Sequence, residues 1–197
     1  MPDDRPLATY SHRAKPYAQE AEFRLFDDHM HVDQGRRSGD FPYRDIVLIR
    51  LTYRPRNTTN EGYMAKLYRR DKRTVSLTNL SWKSLVDMER QDAPYRRFVE
   101  RLIGEVHAAN PNVLLQAGMP GWLHMITSAA GLIAIIALCI VTGQAVLNGA
   151  WPVALLTGAL AAYFAWWTVR FLGRNRPRGF TVDRIPADVL PKAAAPV

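Results

Sequence analysis

The chain has 197 residues and a formal net charge of +8, from 26 Lys and Arg against 18 Asp and Glu. Its single cysteine, Cys139, excludes an intramolecular disulfide and a metal site built from several thiolates. No charged residue lies between Glu105 and Arg170, so the basic excess flanks a long uncharged window. We therefore expect these charges to meet the anionic surface of a bilayer, and no nucleic acid partner.

The first 20 residues contain Asp3, Asp4, Arg5 and three prolines, and no apolar stretch. They match neither a signal peptide nor a twin-arginine signal. We expect a disordered N-terminal segment over residues 1–20, ahead of a soluble part that begins in the cytoplasm.

Short segments with strand-like alternation follow, separated by turn residues such as Asp27-Asp28. This pattern is typical of an antiparallel meander. The predicted strands cover residues 23–26, 29–32, 43–53, 63–68 and 74–80.

One amphipathic helix is predicted after the strands, with Asp92 as its N-cap, Pro94 in its first turn and its end at Asn110-Pro111. Its apolar residues recur at helical spacing and should close a sheet of roughly five to seven strands. They are Tyr95, Phe98, Val99, Leu102, Ile103 and Val106.

Three segments of this region resemble bacterial pleckstrin-homology-like (PH-like) domains: 23–32 (FRLFDDHMHV), 41–46 (FPYRDI) and 95–102 (YRRFVERL). The resemblance covers about 85 residues, predicts a cytoplasmic PH-like domain over residues 21–111 and implies an α+β fold. Its core would be an antiparallel PH-like partial barrel or bent sheet, closed by one C-terminal amphipathic helix and followed by a two-helix transmembrane hairpin. No catalytic residue or cofactor comes with this resemblance.

The string DDHMHVD at 27–33 is the one cluster that suggests an enzyme. In a strand His29, His31 and Asp33 share a face, and two imidazoles with a carboxylate can hold zinc or iron. The string is also similar to the opening of the metallo-beta-lactamase motif, but Gln34 stands where that family needs another histidine. We expect a solvent-facing hairpin without metal, and keep a metal-dependent hydrolase as the alternative.

Basic side chains in two loops and in the C-terminal tail are candidate contacts for anionic lipid headgroups. The alternative is that charged hairpin tips only keep the turns solvated. The residues are Arg36, Arg37, Arg69, Arg70, Lys72, Arg73, Arg174, Arg176 and Arg178.

After a linker over 112–121, a transmembrane hairpin is predicted over 122–172, with spans at about 122–142 and 152–172. Each run is near the roughly 20 residues that a membrane helix needs. Arginines follow the second run, whereas the connector at 142–151 is uncharged, so the positive-inside rule places both termini in the cytoplasm. The alternative is a buried hairpin in a soluble protein.

Small residues recur every four positions in both runs and predict close packing of the two helices, or else a homo-oligomer or partner interface. They are Ala154, Gly158 and Ala162 in the second run and Ala130 and Ala134 in the first. Neither run contains a carboxylate or a cation, which argues against a transporter, pump or channel acting alone.

Residues 173–197 form a basic, Pro-containing tail that we expect to be cytoplasmic. Its apolar residues predict that it docks onto the soluble domain or a partner. They are Phe180, Val182, Ile185, Val189 and Leu190.

Together these features predict a non-enzymatic PH-like module anchored in the bacterial inner membrane. It would present a cytoplasmic binding surface to a partner protein or membrane complex. The other hypothesis from a different class is an accessory subunit of a transport or secretion assembly.

Overall fold

A computed structural model describes residues 5–35, 38–55 and 61–192. The chain divides into two compact units, which are described separately. The first comprises Met1–Gly118 together with Arg178–Val197, and the second is Met119–Pro177. The sequence thus leaves the first unit and returns to it.

The first unit is built from strands that precede and follow helix α1 (Asp92–Ala109). The described strands, in chain order, are β1 (Ala8–His12), β2 (Ala21–Leu25), β3 (His29–Asp33), β4 (Ser38–Pro42), β5 (Ile46–Tyr53), β6 (Tyr63–Arg69), β7 (Thr74–Thr78), β8 (Leu80–Trp82), β9 (Met88–Arg90), β10 (Leu114–Ala117) and β11 (Arg178–Gly179). An α+β fold is confirmed.

The first four strands pair antiparallel in the order β1-β2-β3-β4. Alternate side chains such as Phe23, Leu25 and Met30 are fully buried, as the period of two along a strand requires. The predicted turn at Asp27-Asp28 is present, since the Phe26 amide donates to the His29 carbonyl at 2.9 Å.

Strand β1 corrects the expectation that residues 1–20 are disordered. Tyr10 and His12 are 3% and 1% exposed, and the Tyr10 hydroxyl donates to the Thr78 carbonyl at 2.6 Å. Only five residues alternate here, between polar segments that contain prolines. The burial of two aromatic rings stabilises a strand that this short local pattern does not reveal.

The second sheet has the order β11-β10-β5-β6-β7. Its neighbours are antiparallel except β10, which runs parallel to β5, so the expectation of a purely antiparallel arrangement needs correction. A separate two-stranded ribbon joins β8 and β9.

Helix α1 buries the six apolar residues predicted for it, and it ends at Asn110 as expected. Its start differs from the prediction: Gln91 occupies the N-cap without a side-chain bond, and Asp92 is the first helical residue. The Asp92 carboxylate instead accepts hydrogen bonds from Asn79 Nδ2 and Arg90 Nη2, both at 2.6 Å. The Asp92 carboxylate is thus hydrogen-bonded to side chains outside the helix and does not cap the helix N-terminus.

The predicted linker over 112–121 contains strand β10, which pairs with β5 on one side and with β11 on the other. Gln116 lies opposite Gly179, and Ala117 lies opposite Arg178. The first unit therefore extends beyond residues 21–111 and takes strands from the sequence on both sides of the apolar hairpin.

The described part of the tail, up to residue 192, packs within the first unit, as expected of the tail. Val189 and Leu190 are 0% and 1% exposed, and Arg96 Nη1 of helix α1 donates to the Pro191 carbonyl at 2.8 Å. The Phe180 amide also donates to the Leu115 carbonyl at 3.1 Å. Apolar burial drives this docking, and the two hydrogen bonds set its position.

The second unit is an antiparallel pair of apolar helices, α2 (Gly121–Leu147) and α3 (Trp151–Arg174). Both are long and apolar enough to cross a membrane. They extend beyond the predicted spans and leave a connector of only residues 148–150.

The buried positions of α3 follow a seven-residue spacing, and the predicted four-residue stripe lies only partly at the helix contact. Ala154 is buried, and a Cβ added at Gly158 would lie 3.6 Å from Thr142 Cγ2 of α2. Ala154, Ala161 and Thr168 are the buried residues of α3, whereas Ala162 is exposed. On α2 Gly131 is buried, while Ala130 is exposed and Ala134 is half-buried. A seam with a period of about 3.5 residues keeps two long helices in contact, which a strict spacing of four does not.

Candidate functional site

The histidines of β3 lie on the outer face of the four-stranded sheet, where the alternation predicted them. His31 Nδ1 is 2.6 Å from Asp40 Oδ1, and its Nε2 is 3.3 Å from Ser38 Oγ. His29 Nδ1 is 2.6 Å from Asp28 Oδ1. Each imidazole thus has a carboxylate partner that comes from a neighbouring position or from strand β4.

Asp33, the third candidate metal ligand, is turned into the following loop, where its Oδ1 accepts from the Gly35 amide at 2.8 Å. Within the part of the chain that the structure describes, no group of three His, Cys, Asp or Glu side chains is placed to hold a metal ion. The carboxylate beside His31 is Asp40, which sequence reasoning missed because only the β3–β4 register brings the two residues together.

One carboxylate offsets part of the positive charge of the basic turn after β6. Asp71 pairs with Arg69 at 3.2 Å and with Arg73 at 3.4 Å. Lys72 takes a left-handed backbone conformation with φ of 68°, which closes the turn. In the described ranges no ion pair is made by Arg70 or Lys72, and both side chains are exposed.

The remaining basic candidates differ in their surroundings. Arg178 forms an ion pair with Asp188, which lies further along the docked tail. Arg174 is half-buried and has an interaction partner, whereas Arg176 is exposed. Arg36 and Arg37 lie outside the described residues.

A basic row on the outer face of the five-stranded sheet was not among the predicted sites. It consists of Gln116, Arg50, Lys66 and Ser76, which are successive register partners on β10, β5, β6 and β7. The strand neighbours of Arg50, Ile49 and Leu51, are fully buried, so Arg50 points away from the core. The alternation in residues 46–53 contains part of this signal, but only the register places Arg50 opposite Lys66.

Two contacts hold Arg50 in the row. Its Nη2 donates to Gln116 Oε1 at 2.5 Å, and its guanidinium carbon is 5.8 Å from the centre of the Tyr68 ring. Lys66 Nζ lies 5.0 Å from the same ring. One aromatic ring therefore contacts both cations, in the range where cation–π attraction operates.

Comparison with known proteins adds no relative: no family model matches the chain, and no curated protein or solved structure matches it. The resemblance to PH-like domains thus stays a prediction.

Proposed function

We propose that this protein is a non-enzymatic binding module that a helical hairpin anchors in a cytoplasmic membrane. The observation that carries the proposal is the pairing of β10 with β11. One strand directly precedes the apolar hairpin and the other follows it. Two spans return a chain to its starting side, so a single folded unit made from both flanks fits a two-span membrane protein.

The surface of the hairpin supports insertion into lipid. Large apolar side chains project outward along both helices, with Ile133 67%, Leu155 74% and Val169 71% exposed. A hairpin that served as the core of a soluble protein would have these side chains covered, since contiguous exposed apolar surface is costly in water. Lipid is the solvent that suits this surface.

The distribution of arginines supports a cytoplasmic position for the soluble unit. Arg170, Arg174 and Arg176 lie at or just after the end of α3, whereas the connector at 148–150 carries no charge. By the positive-inside rule the connector faces the opposite side of the membrane. The bacterial inner membrane is the location we propose.

The soluble unit supports the PH-like proposal in outline, since successive antiparallel strands precede α1 and its apolar stripe is buried. We propose binding as its work because the groups that suggested an enzyme, His29 and His31, are engaged by Asp28 and Asp40 on the surface. A partner protein or membrane complex would use the exposed sheet faces.

Labelling of single cysteines tests the topology. We would place Ser84→Cys, Asn148→Cys and Asp183→Cys separately in a Cys139→Ser background, since all three wild-type side chains are exposed. A membrane-impermeant maleimide should label the connector position in right-side-out vesicles and the other two only in inverted vesicles. Labelling of positions 84 and 183 on opposite sides would refute the two-span arrangement.

Purification of the full chain in a gentle detergent from its native membrane tests the binding role. Mass spectrometry would identify proteins and elemental analysis would identify metals in the same sample. A stoichiometric partner supports the proposal, and a larger membrane assembly would specify an accessory subunit. About one zinc or iron per chain without a partner would contradict it and return attention to His29 and His31.

A further inference from the structure

The basic row of Gln116, Arg50, Lys66 and Ser76 has an unusual charge arrangement. Arg50 and Lys66 are direct register partners on two antiparallel strands in the interior of the sheet. Like charges directly opposite each other destabilise a sheet, because their side chains start only about 5 Å apart. The repulsion between Arg50 and Lys66 therefore lowers the stability of the sheet, and no feature of either strand requires this pairing of cations.

No carboxylate offsets these two charges within the described ranges, where neither Arg50 nor Lys66 forms an ion pair. The other members of the row are an amide and a hydroxyl, and the neutral ring of Tyr68 lies beside both cations. By contrast, Arg69 and Arg73 of the nearby turn share the carboxylate of Asp71. The row is thus a place where a counter-ion from outside would be bound.

The guanidinium of Arg50 is already oriented for such a ligand. Its hydrogen bond to Gln116 and its contact with Tyr68 restrict the side chain, so little rotamer entropy is lost on binding. An arginine presents its remaining donors in a planar fork, which suits oxygen anions.

Apolar side chains adjoin the row at the next positions along the strands. Leu114 is 59% exposed, and Leu48 and Met64 are half-buried on the same face. Only residues 117–120 separate Gln116 from the first residue of α2. A ligand with an anionic group attached to an apolar group could contact the two cations and the neighbouring apolar side chains at the same time.

We propose that Arg50 and Lys66 form a binding site for a phosphate monoester. Two cations match the charge of a dianionic phosphate better than that of a single carboxylate. Gln116 positions Arg50, and Ser76 adds a hydroxyl at the end of the row. The inference rests on the proposed function, because it names the ligand class that the binding module takes. The phosphate comes either from a lipid headgroup or from a soluble compound.

Isothermal titration of the purified full chain in a non-ionic detergent, at constant ionic strength, tests this site. The probes are inorganic phosphate, dihexanoyl phosphatidic acid and, as a zwitterionic control, dihexanoyl phosphatidylcholine. We expect phosphate and phosphatidic acid to bind and phosphatidylcholine not to bind. Tighter binding of phosphatidic acid identifies a lipid source, and equal binding identifies a soluble phosphate. Failure of both phosphate probes to bind overturns the proposal.

Two variants and a matched control locate the site. Arg50→Gln and Lys66→Glu should each weaken phosphate binding at least tenfold. The control Arg44→Gln/Arg97→Gln removes two exposed cations that lie outside the row and outside the candidate headgroup contacts, and it should leave binding within twofold of wild type. If the control loses as much affinity as the site variants, the binding is diffuse charge attraction and the proposal is wrong.

Thermal stability separates a ligand site from a structural role. Lys66→Glu places a carboxylate opposite Arg50, so in phosphate-free buffer its melting temperature should rise, and phosphate should no longer raise it further. A fall in melting temperature would show that Lys66 serves the fold. Because these measurements use detergent, they stand independently of the cysteine labelling that tests the membrane topology.

Discussion

Protonation of His12 should make the first unit unstable in mild acid. The ring lies on β1 with 1% exposure, stacked 5.4 Å from Phe23 and 5.7 Å from Tyr10. Its Nδ1 has no hydrogen-bond partner among the described residues. Burial lowers the pKa of His12 to about 4, and the carboxylate of Glu20 offsets only part of this shift.

The size of the effect follows from the difference between the folded and unfolded pKa values. In the unfolded chain His12 takes up its proton near pH 6.5, whereas in the folded chain it does so near pH 4. Between these values the unfolded state binds more protons, so the free energy of unfolding falls as the pH falls. A difference of about 2.5 pKa units corresponds to about 3 kcal/mol.

Urea unfolding of the full chain in a non-ionic detergent, followed by circular dichroism between pH 7.5 and 4, measures this loss. We would compare wild type with His12→Phe, which keeps a ring between Tyr10 and Phe23 but cannot be protonated. The free energy of unfolding of His12→Phe, relative to that of wild type, should rise by about 3 kcal/mol as the pH falls from 7.5 to 4. The comparison cancels the titration of the surface carboxylates.

The matched control is His107→Gln, because His107 is exposed in the last turn of α1. Its pH dependence should follow that of wild type to within about 0.5 kcal/mol. The reasoning would be refuted if His12→Phe and wild type lost stability in parallel over this range. Such a result would mean that His12 is solvated or hydrogen-bonded in the folded protein.

Three further substitutions test the packing of each unit. Asn79→Ala should lower the free energy of unfolding by about 3 kcal/mol. The reason is that the wild-type amide oxygen accepts a hydrogen bond from a buried backbone N–H of β6 at 2.7 Å. An unchanged urea midpoint would contradict this prediction. Leu190→Ala should lower the free energy of unfolding by a similar amount and speed limited proteolysis of the tail, and equal cleavage rates would show that the tail is not held by this side chain. Gly131→Leu should separate the two apolar helices, because its Cβ would lie 2.8 Å from Thr168 Cγ2. Gly143→Leu, with no atom near the added carbon, is its control, and thermal melting in detergent should distinguish the two variants.

Elements with a strong local period could be predicted from the sequence. The six buried residues of α1 repeat at helical spacing, and β2, β3 and β6 alternate between buried and half-exposed positions. In each element one face is buried in the core, so the spacing of apolar residues along the sequence follows the spacing of buried positions. The turn at Asp27-Asp28 was predictable for a similar reason, because its residue types favour that backbone.

The candidate sites were predicted less well, because they depend on which strands are neighbours. The pairing of His31 with Asp40 and of Arg50 with Lys66 follows from register between strands. A slip of one residue would turn each side chain to the opposite face of its sheet. No local pattern carries that information.

The sequence by itself determined the apolar hairpin, the amphipathic helix α1 and five of the eleven described strands, since each follows from the composition and period of a continuous segment. Only the tertiary structure decided that β10 and β11 share a sheet, which joins residues on either side of the hairpin into one unit. That pairing brings together segments about 60 positions apart, and it is stabilised by long-range hydrogen bonds and by the burial of Val189 and Leu190. Such contacts depend on the whole fold, so short segments cannot specify them alone.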